Sequence, residues 1–172
     1  MTRIAANDAG GANVVAFLDT IAHSELGQLE TRVDTDGGYR VIVGSTPQRP
    51  ILFGSYADHP RIAVTTAWGR SSAAGRYQIM AVVDDLTRLD TWEWASRAAG
   101  VKDFSPESQD RTAIELVRHR GALDDVQAGR FDVAVRKCAQ EWASLPSAGY
   151  GQHENDLNVL RVYYLASGGR IA

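Results

Sequence analysis

Glu25 is the residue around which a chemistry can be built. It lies near the end of the stretch 17–27, whose Phe17, Leu18, Ile21 and Ala22 share one apolar helical face with the preceding Val14. A carboxyl there meets two influences that raise its pKa. Apolar burial disfavours the charged form, and so does the negative end of the helix dipole. A carboxylic acid still protonated near neutral pH is what general acid catalysis requires. The plainer alternative is a solvated residue in the last turn before Gly27.

Other chemistries find less support. The chain has no P-loop and no GxGxxG, and the glycine pairs at 10–11, 37–38 and 168–169 are not set between strand and helix. His23, His59, His119 and His153 are scattered, and no HExxH occurs. A metal site from Asp58, His59 and His153 is conceivable but unsupported by spacing, so no metal and no cofactor are expected. Cys138 lies mid-helix with no activating partner in sequence. Nothing signals a Ser-His-Asp triad.

Two loops add a binding signal. Residues 71–78 combine small residues with Arg76, Tyr77 and Gln78, and residues 142–152 do the same with Ser144, Tyr150 and Gln152. Small residues let a ligand approach the backbone. Rings, amides and hydroxyls together suit a polysaccharide, though tight turns with core-anchoring tyrosines read the same way.

The elements that must position these groups follow from patterning. Residues 1–12 are expected to form a flexible arm. A helix over 13–26 is capped by Asn13. Asp36-Gly37-Gly38 is a turn, 39–43 a strand, 51–53 its return strand, and 62–66 a third short strand. Helices are expected over 73–89, 90–99, 106–119 (Ser105 as cap and Pro106 first), 122–128, 131–143 and 153–167. The pattern is α+β: a helical lobe and a small antiparallel sheet lobe, with a cleft between them that Glu25 should face.

Totals agree with one globular domain, taken as 13–172. The chain has 172 residues, 44% of them hydrophobic, and a net charge of −3. No basic block argues for nucleic acid. One cysteine excludes an internal disulfide. No signal peptide or membrane span is legible, so synthesis in a cytoplasm is expected.

Taken in order, several stretches resemble the phage lambda lysozyme (endolysin) family of lytic transglycosylases. They are 16–19 through Ser24-Glu25, 38–44, Tyr56 with 58–61, 74–78, 102–106, 120–123, 142–146 and 148–152. The resemblance covers about 14–169. The chain departs from the pattern in a longer 45–54 loop, in 62–70 where Trp68 and Gly69 stand at the expected upper lip of the cleft, and at His23, which replaces an aromatic residue.

The resemblance implies a lysozyme-like fold with Glu25 as the catalytic residue. Tyr77, Gln78 and Tyr150 would orient the sugar, with Tyr150 also a possible hydrogen-bond partner of Glu25. Ser144, Gln152, Trp68, Asp58 and His59 are further candidate glycan contacts. Asp58 and His59 could instead belong to a loop held by its own hydrogen bonds. The implied substrate is peptidoglycan, cut between N-acetylmuramic acid and N-acetylglucosamine with closure of a 1,6-anhydro ring. Among Asp34, Asp36 and Asp58 no clear second carboxylate emerges, and the resemblance requires none. Hydrolysis by water is the alternative outcome, and a non-catalytic glycan-binding phage protein a remoter one. The implied cell biology is a monomer held in the host cytoplasm until a holin releases it.

Overall fold

In a computed structural model, residues 3–84 and 90–172 are described. The chain is α+β, and its described residues fall into two compact units. One holds Leu26–Thr112; the other holds Arg3–Glu25 and Ala113–Ala172.

The second unit is helical. Its first helix, α1, spans Ala6–Ala9, and Ile4 and Ala9 are buried beside it. A single helical turn thus lies within the stretch 1–12. Helix α2 follows as Ala12–Leu26, and its apolar face (Val14, Phe17, Leu18, Ile21, Ala22) is wholly buried. Asn13 does not cap it. Its amide instead donates to Gln127 O and accepts from Arg170 N–H, tying α2 to both later segments. Phe17 meets Phe131 edge-on at 6.1 Å, and Phe131 packs on Tyr164 at 4.7 Å. These aromatics join α2 to α6 (Phe131–Cys138) and α7 (Leu157–Ala166). Asp156 caps α7 by accepting from the N–H groups of Asn158 and Val159. Helix α6 stops at Cys138, short of the expected 143; turns lead on through Trp142. Helix α5, Leu123–Gln127, completes this unit. Cys138 is buried, which pushes its thiol up to about 12.

The other unit carries the short strands. Strand β1 (Val64–Thr66) pairs antiparallel with β2 (Gly69–Ser71), with Val64 opposite Ser71. The expected strands 39–43 and 51–53 meet, but as a brief ladder. Ile42 N–H donates to Ile51 O and Phe53 N–H to Arg40 O. Leu26, Leu29 and Val41 cluster beneath it against Leu52. A second cluster gathers Phe53, Phe104, Trp92 and His59, with Phe104 at 4.8 to 5.7 Å from the other three rings. Trp92 comes from α3, Thr91–Ala99. Helix α4, Pro106–His119, begins in this unit at the expected proline. Ser105 precedes it, and its hydroxyl donates to Asp103 rather than capping the helix backbone.

The expected helix over 73–89 is not formed in its described part. Ala74 and Ile79 exchange backbone hydrogen bonds and close a turn over Gly75–Gln78. Gly75 and Gln78 both have positive φ, 77° and 47°, which no right-handed helix accommodates. A side chain at Gly75 would run into the amide of Gln109, which donates to Tyr39 O and Phe104 O and accepts from Arg76 N–H. Burial then alternates, Ile79 and Ala81 in and Val82 out, as in an extended chain. Leu86 and the end of that expected helix lie outside the described residues.

Candidate active site

Glu25 lies four residues after Ile21 and three after Ala22, so α2 aims it along the face that those residues bury. Its carboxyl is half-buried. Burial raises its pKa above the ordinary value, and hydrogen bonds from Ser144 work against that rise. The Ser144 hydroxyl donates to Glu25 Oε1 over 2.6 Å. Ser144 Oγ is also 2.7 Å from Ser24 Oγ. Asn155 closes the group: its Nδ2 lies 3.1 Å from both Ser24 O and Ser24 Oγ, and 3.2 Å from Ser144 O. Its backbone N–H donates to Ser144 O over 2.8 Å. Three segments thus converge: the end of α2, the turns after α6 and the approach to α7. A carboxyl raised by burial and held by Ser144 is a group that can give and take a proton.

No second carboxylate shares this hydrogen-bonded group among the described residues. The three candidates from the sequence are engaged elsewhere, all in the other unit. Asp34 pairs with Arg32 at 2.6 Å. Asp36 accepts from the Tyr56 hydroxyl at 2.6 Å. Asp58 accepts from Trp92 Nε1 at 2.9 Å and pairs with Arg61 at 3.5 Å. Nor do three His, Cys, Asp or Glu side chains gather as metal ligands among the described residues.

The model of the endolysin family matches residues 15–171. The chain belongs to the endolysin family. The endolysin of Escherichia phage P2 is 41% identical over 163 residues, which cover 91% of this chain and 93% of the relative. That of Escherichia phage lambda is 41% identical over 160 residues, 91% of each. A solved bacteriophage lambda lysozyme complexed with a chitohexasaccharide matches over 100% of both chains, with a TM-score of 0.80 at 38% identity. Another lysozyme from bacteriophage lambda gives 0.75 at 35%, again over 100% of both chains. Family membership supplies the coarse activity: a phage-type endolysin that degrades peptidoglycan.

The endolysin's other expected contacts divide sharply. Tyr77 is a correction: it is fully buried, and its hydroxyl donates to Asp110, which Tyr39 also bonds. It anchors the core and has no surface to offer a sugar. His59 is a second correction. It is 3% exposed, its Nε2–H donates to Ile79 O at 2.9 Å, and its Nδ1 accepts from Arg61 N–H at 3.1 Å. Both ring nitrogens are spent, one on Arg61 within the loop and one on Ile79 outside it. Burial lowers its pKa to about 4. Asp58 belongs to the same loop; burial works to raise its carboxyl, but the hydrogen bonds of Trp92 and His59 N–H and the Arg61 charge hold it low. The Asp-His-Pro-Arg loop is thus held by its own hydrogen bonds, while the Asp58 side chain stays 56% exposed.

Ser144 proves to touch Glu25 directly. Tyr150 is 55% exposed and its hydroxyl donates to Gln140 O, not to Glu25. Gln152 is exposed nearby in sequence. The 147–151 turn that carries Tyr150 is braced by Glu154, which accepts from the N–H groups of Ser147 and Gly149 at 2.7 Å each. In the other unit Trp68 projects from the β1–β2 turn, 65% exposed, while Gln78 is half-buried with Nε2 on Gly75 O. His23 stacks on Tyr163 at 4.0 Å. Sequence reasoning missed Ser24 and Asn155. The only local signal for Ser24 was its place beside Glu25, and for Asn155 its place before the Asp156 cap.

Among the described residues no helix is long and apolar enough to cross a membrane.

Proposed function

We propose that this endolysin cuts the β-1,4 bond between N-acetylmuramic acid and N-acetylglucosamine as a lytic transglycosylase, with Glu25 as acid and then base. The observation that carries the reading is the state of Glu25. Its carboxyl has a raised pKa and is held by a neutral hydroxyl, and among the described residues no second carboxylate is bonded to its group. A retaining or inverting hydrolase ordinarily needs a second carboxylate. The lambda lysozyme solved with a chitohexasaccharide supports a glycan strand as the ligand.

The steps balance without water. Protonated Glu25 gives its proton to the glycosidic oxygen as the C1–O bond breaks, and the N-acetylglucosamine end departs as an alcohol. The substrate's 2-acetamido oxygen stabilises the positive charge at C1. Glu25, now ionised, takes the proton of the C6 hydroxyl of the same muramic acid, and that oxygen bonds to C1. The 1,6-anhydro ring closes and Glu25 is protonated again. One group serving both ways needs a pKa near the working pH, and burial moves Glu25 upward in that direction.

Tyr150, Gln152, Trp68 and Gln78 are proposed glycan contacts, since each keeps polar or aromatic surface available. We further propose that the chain acts as a monomer and reaches the wall from the cytoplasm through a holin.

Two measurements test the reading. Glu25→Gln should abolish lysis of permeabilised Gram-negative cells while leaving the fold and glycan binding intact; full activity would end the proposal. Mass analysis of digested peptidoglycan should give products one water lighter than hydrolysis does. Reducing-end muramic acid would show a hydrolase instead.

A further inference from the structure

The hydrogen bonds of Ser24 and Asn155 lead to Glu25 through Ser144, and the geometry gives that connection a direction. Two of the three oxygens facing Asn155 Nδ2 are backbone carbonyls, Ser24 O and Ser144 O, which can only accept. The atom presented to them is therefore the amide nitrogen, and Ser24 Oγ, 3.1 Å away, shares in its hydrogens. A serine hydroxyl has one hydrogen to give. With Ser24 Oγ an acceptor on the Asn155 side, its own hydrogen points to Ser144 Oγ at 2.7 Å. The hydrogen of Ser144 then points to Glu25 Oε1 at 2.6 Å. All bonds run one way, from amide to carboxyl. The opposite direction would turn the Ser144 hydrogen onto Ser24 and cost the Ser24 hydrogen its partner. In a partly buried setting such a loss is expensive, and aligned hydroxyls strengthen one another.

We propose that Ser24 and Asn155 are positioning residues for Glu25: they keep the Ser144 hydrogen on Oε1 in both protonation states, so that the transferred proton rides on Oε2. The inference rests on Glu25 being the catalytic acid and deepens that reading. One carboxyl oxygen is fixed as an acceptor, and the other is left to face the scissile bond. The Asn155 side chain is the fixed end, because an amide nitrogen cannot accept. Ser144 is the hinge, since its hydroxyl carries the chain of hydrogen bonds onto Glu25.

The test is a thermodynamic cycle on the full chain. The Glu25 carboxyl is titrated by carbon NMR, and kcat and KM are measured against pH on purified sacculi. Ser144→Ala should raise the Glu25 midpoint and lower kcat at neutral pH roughly 10-fold, the worth of one hydrogen bond to a charged group, with KM unchanged. Ser24→Ala and Asn155→Ala should each move the midpoint the same way by less. In the Ser144→Ala background neither should move it further, because both act through the missing hydroxyl. Ser24→Thr, which restores a hydroxyl, should titrate as wild type. Additive shifts in the double variants, or Ser24→Ala and Asn155→Ala proteins whose Glu25 titrates as wild type, would overturn the proposal. Should Ser24→Ala fail to fold, Asn155→Ala in the two backgrounds decides the matter by itself. Full activity in Glu25→Gln would instead sink the catalytic reading, while the titrations would still judge the hydrogen-bond chain.

Discussion

Ser144 and Glu25 are 119 residues apart in sequence, and the hydroxyl of one sits 2.6 Å from the carboxyl of the other. That single bond opposes a larger effect, the burial that makes ionisation of Glu25 costly in the folded protein. The consequence for stability has a definite sign. A carboxyl whose folded pKa is raised above its ordinary 4.5 favours the folded state below that value. The advantage is lost as pH rises from there through the folded pKa. Glu25→Gln, which cannot ionise, should therefore melt a few degrees above wild type at pH 7, and the gap should close below about pH 4.5. Thermal melts at pH 4 and pH 7 check this; equal melting temperatures at pH 7 would contradict it.

His59 works in the opposite sense. Its buried imidazole has a pKa of about 4 against an ordinary 6.5, so the unfolded chain takes up a proton first as pH falls. Stability is full above 6.5 and declines toward 4, by up to about 3 kcal/mol from this residue. Urea unfolding at intervals between pH 4 and 7 should show the slope. His59→Gln should be less stable at pH 7 and flatter in that window.

Tyr77 distinguishes a core role from a sugar contact. Tyr77→Phe removes a buried hydroxyl that donates to Asp110. The expected cost is about 1–2 kcal/mol of stability with KM unchanged. A raised KM at full stability would return Tyr77 to the glycan.

Glu154 braces the turn that carries Tyr150. Its carboxyl is held below the ordinary value by the N–H groups of Gly149 and Ser147. Glu154→Ala should strip hydrogen-exchange protection from those two amides and raise KM several-fold, with kcat little changed. In wild type the same protection should fade as pH drops through the carboxylate range.

The helices were largely legible because their signals are local. The apolar face of α2, Pro106 opening α4, and Gly129 closing the segment after α5 act within a few residues. The 73–84 segment was not, although its apolar spacing suits a helix. Its turn is set by Gln109, over thirty residues away, which holds Arg76 N–H. Asn13 illustrates the same competition, with a good capping side chain recruited by Gln127 and Arg170 instead. Of the site, Glu25 was readable because helix periodicity places it. Ser24 and Asn155 were not, since they acquire meaning only once Ser144 arrives from 120 and 11 residues away.

The burial of Cys138 has a practical side. It is the chain's one cysteine, and a thiol pushed up to about 12 stays protonated and shielded from alkylating reagents near neutral pH. A new cysteine at exposed Trp68 or Tyr150 would be the sole position to accept a maleimide dye or spin probe. The native sequence is thus already a clean background for single-site labelling, with no cysteine to remove first.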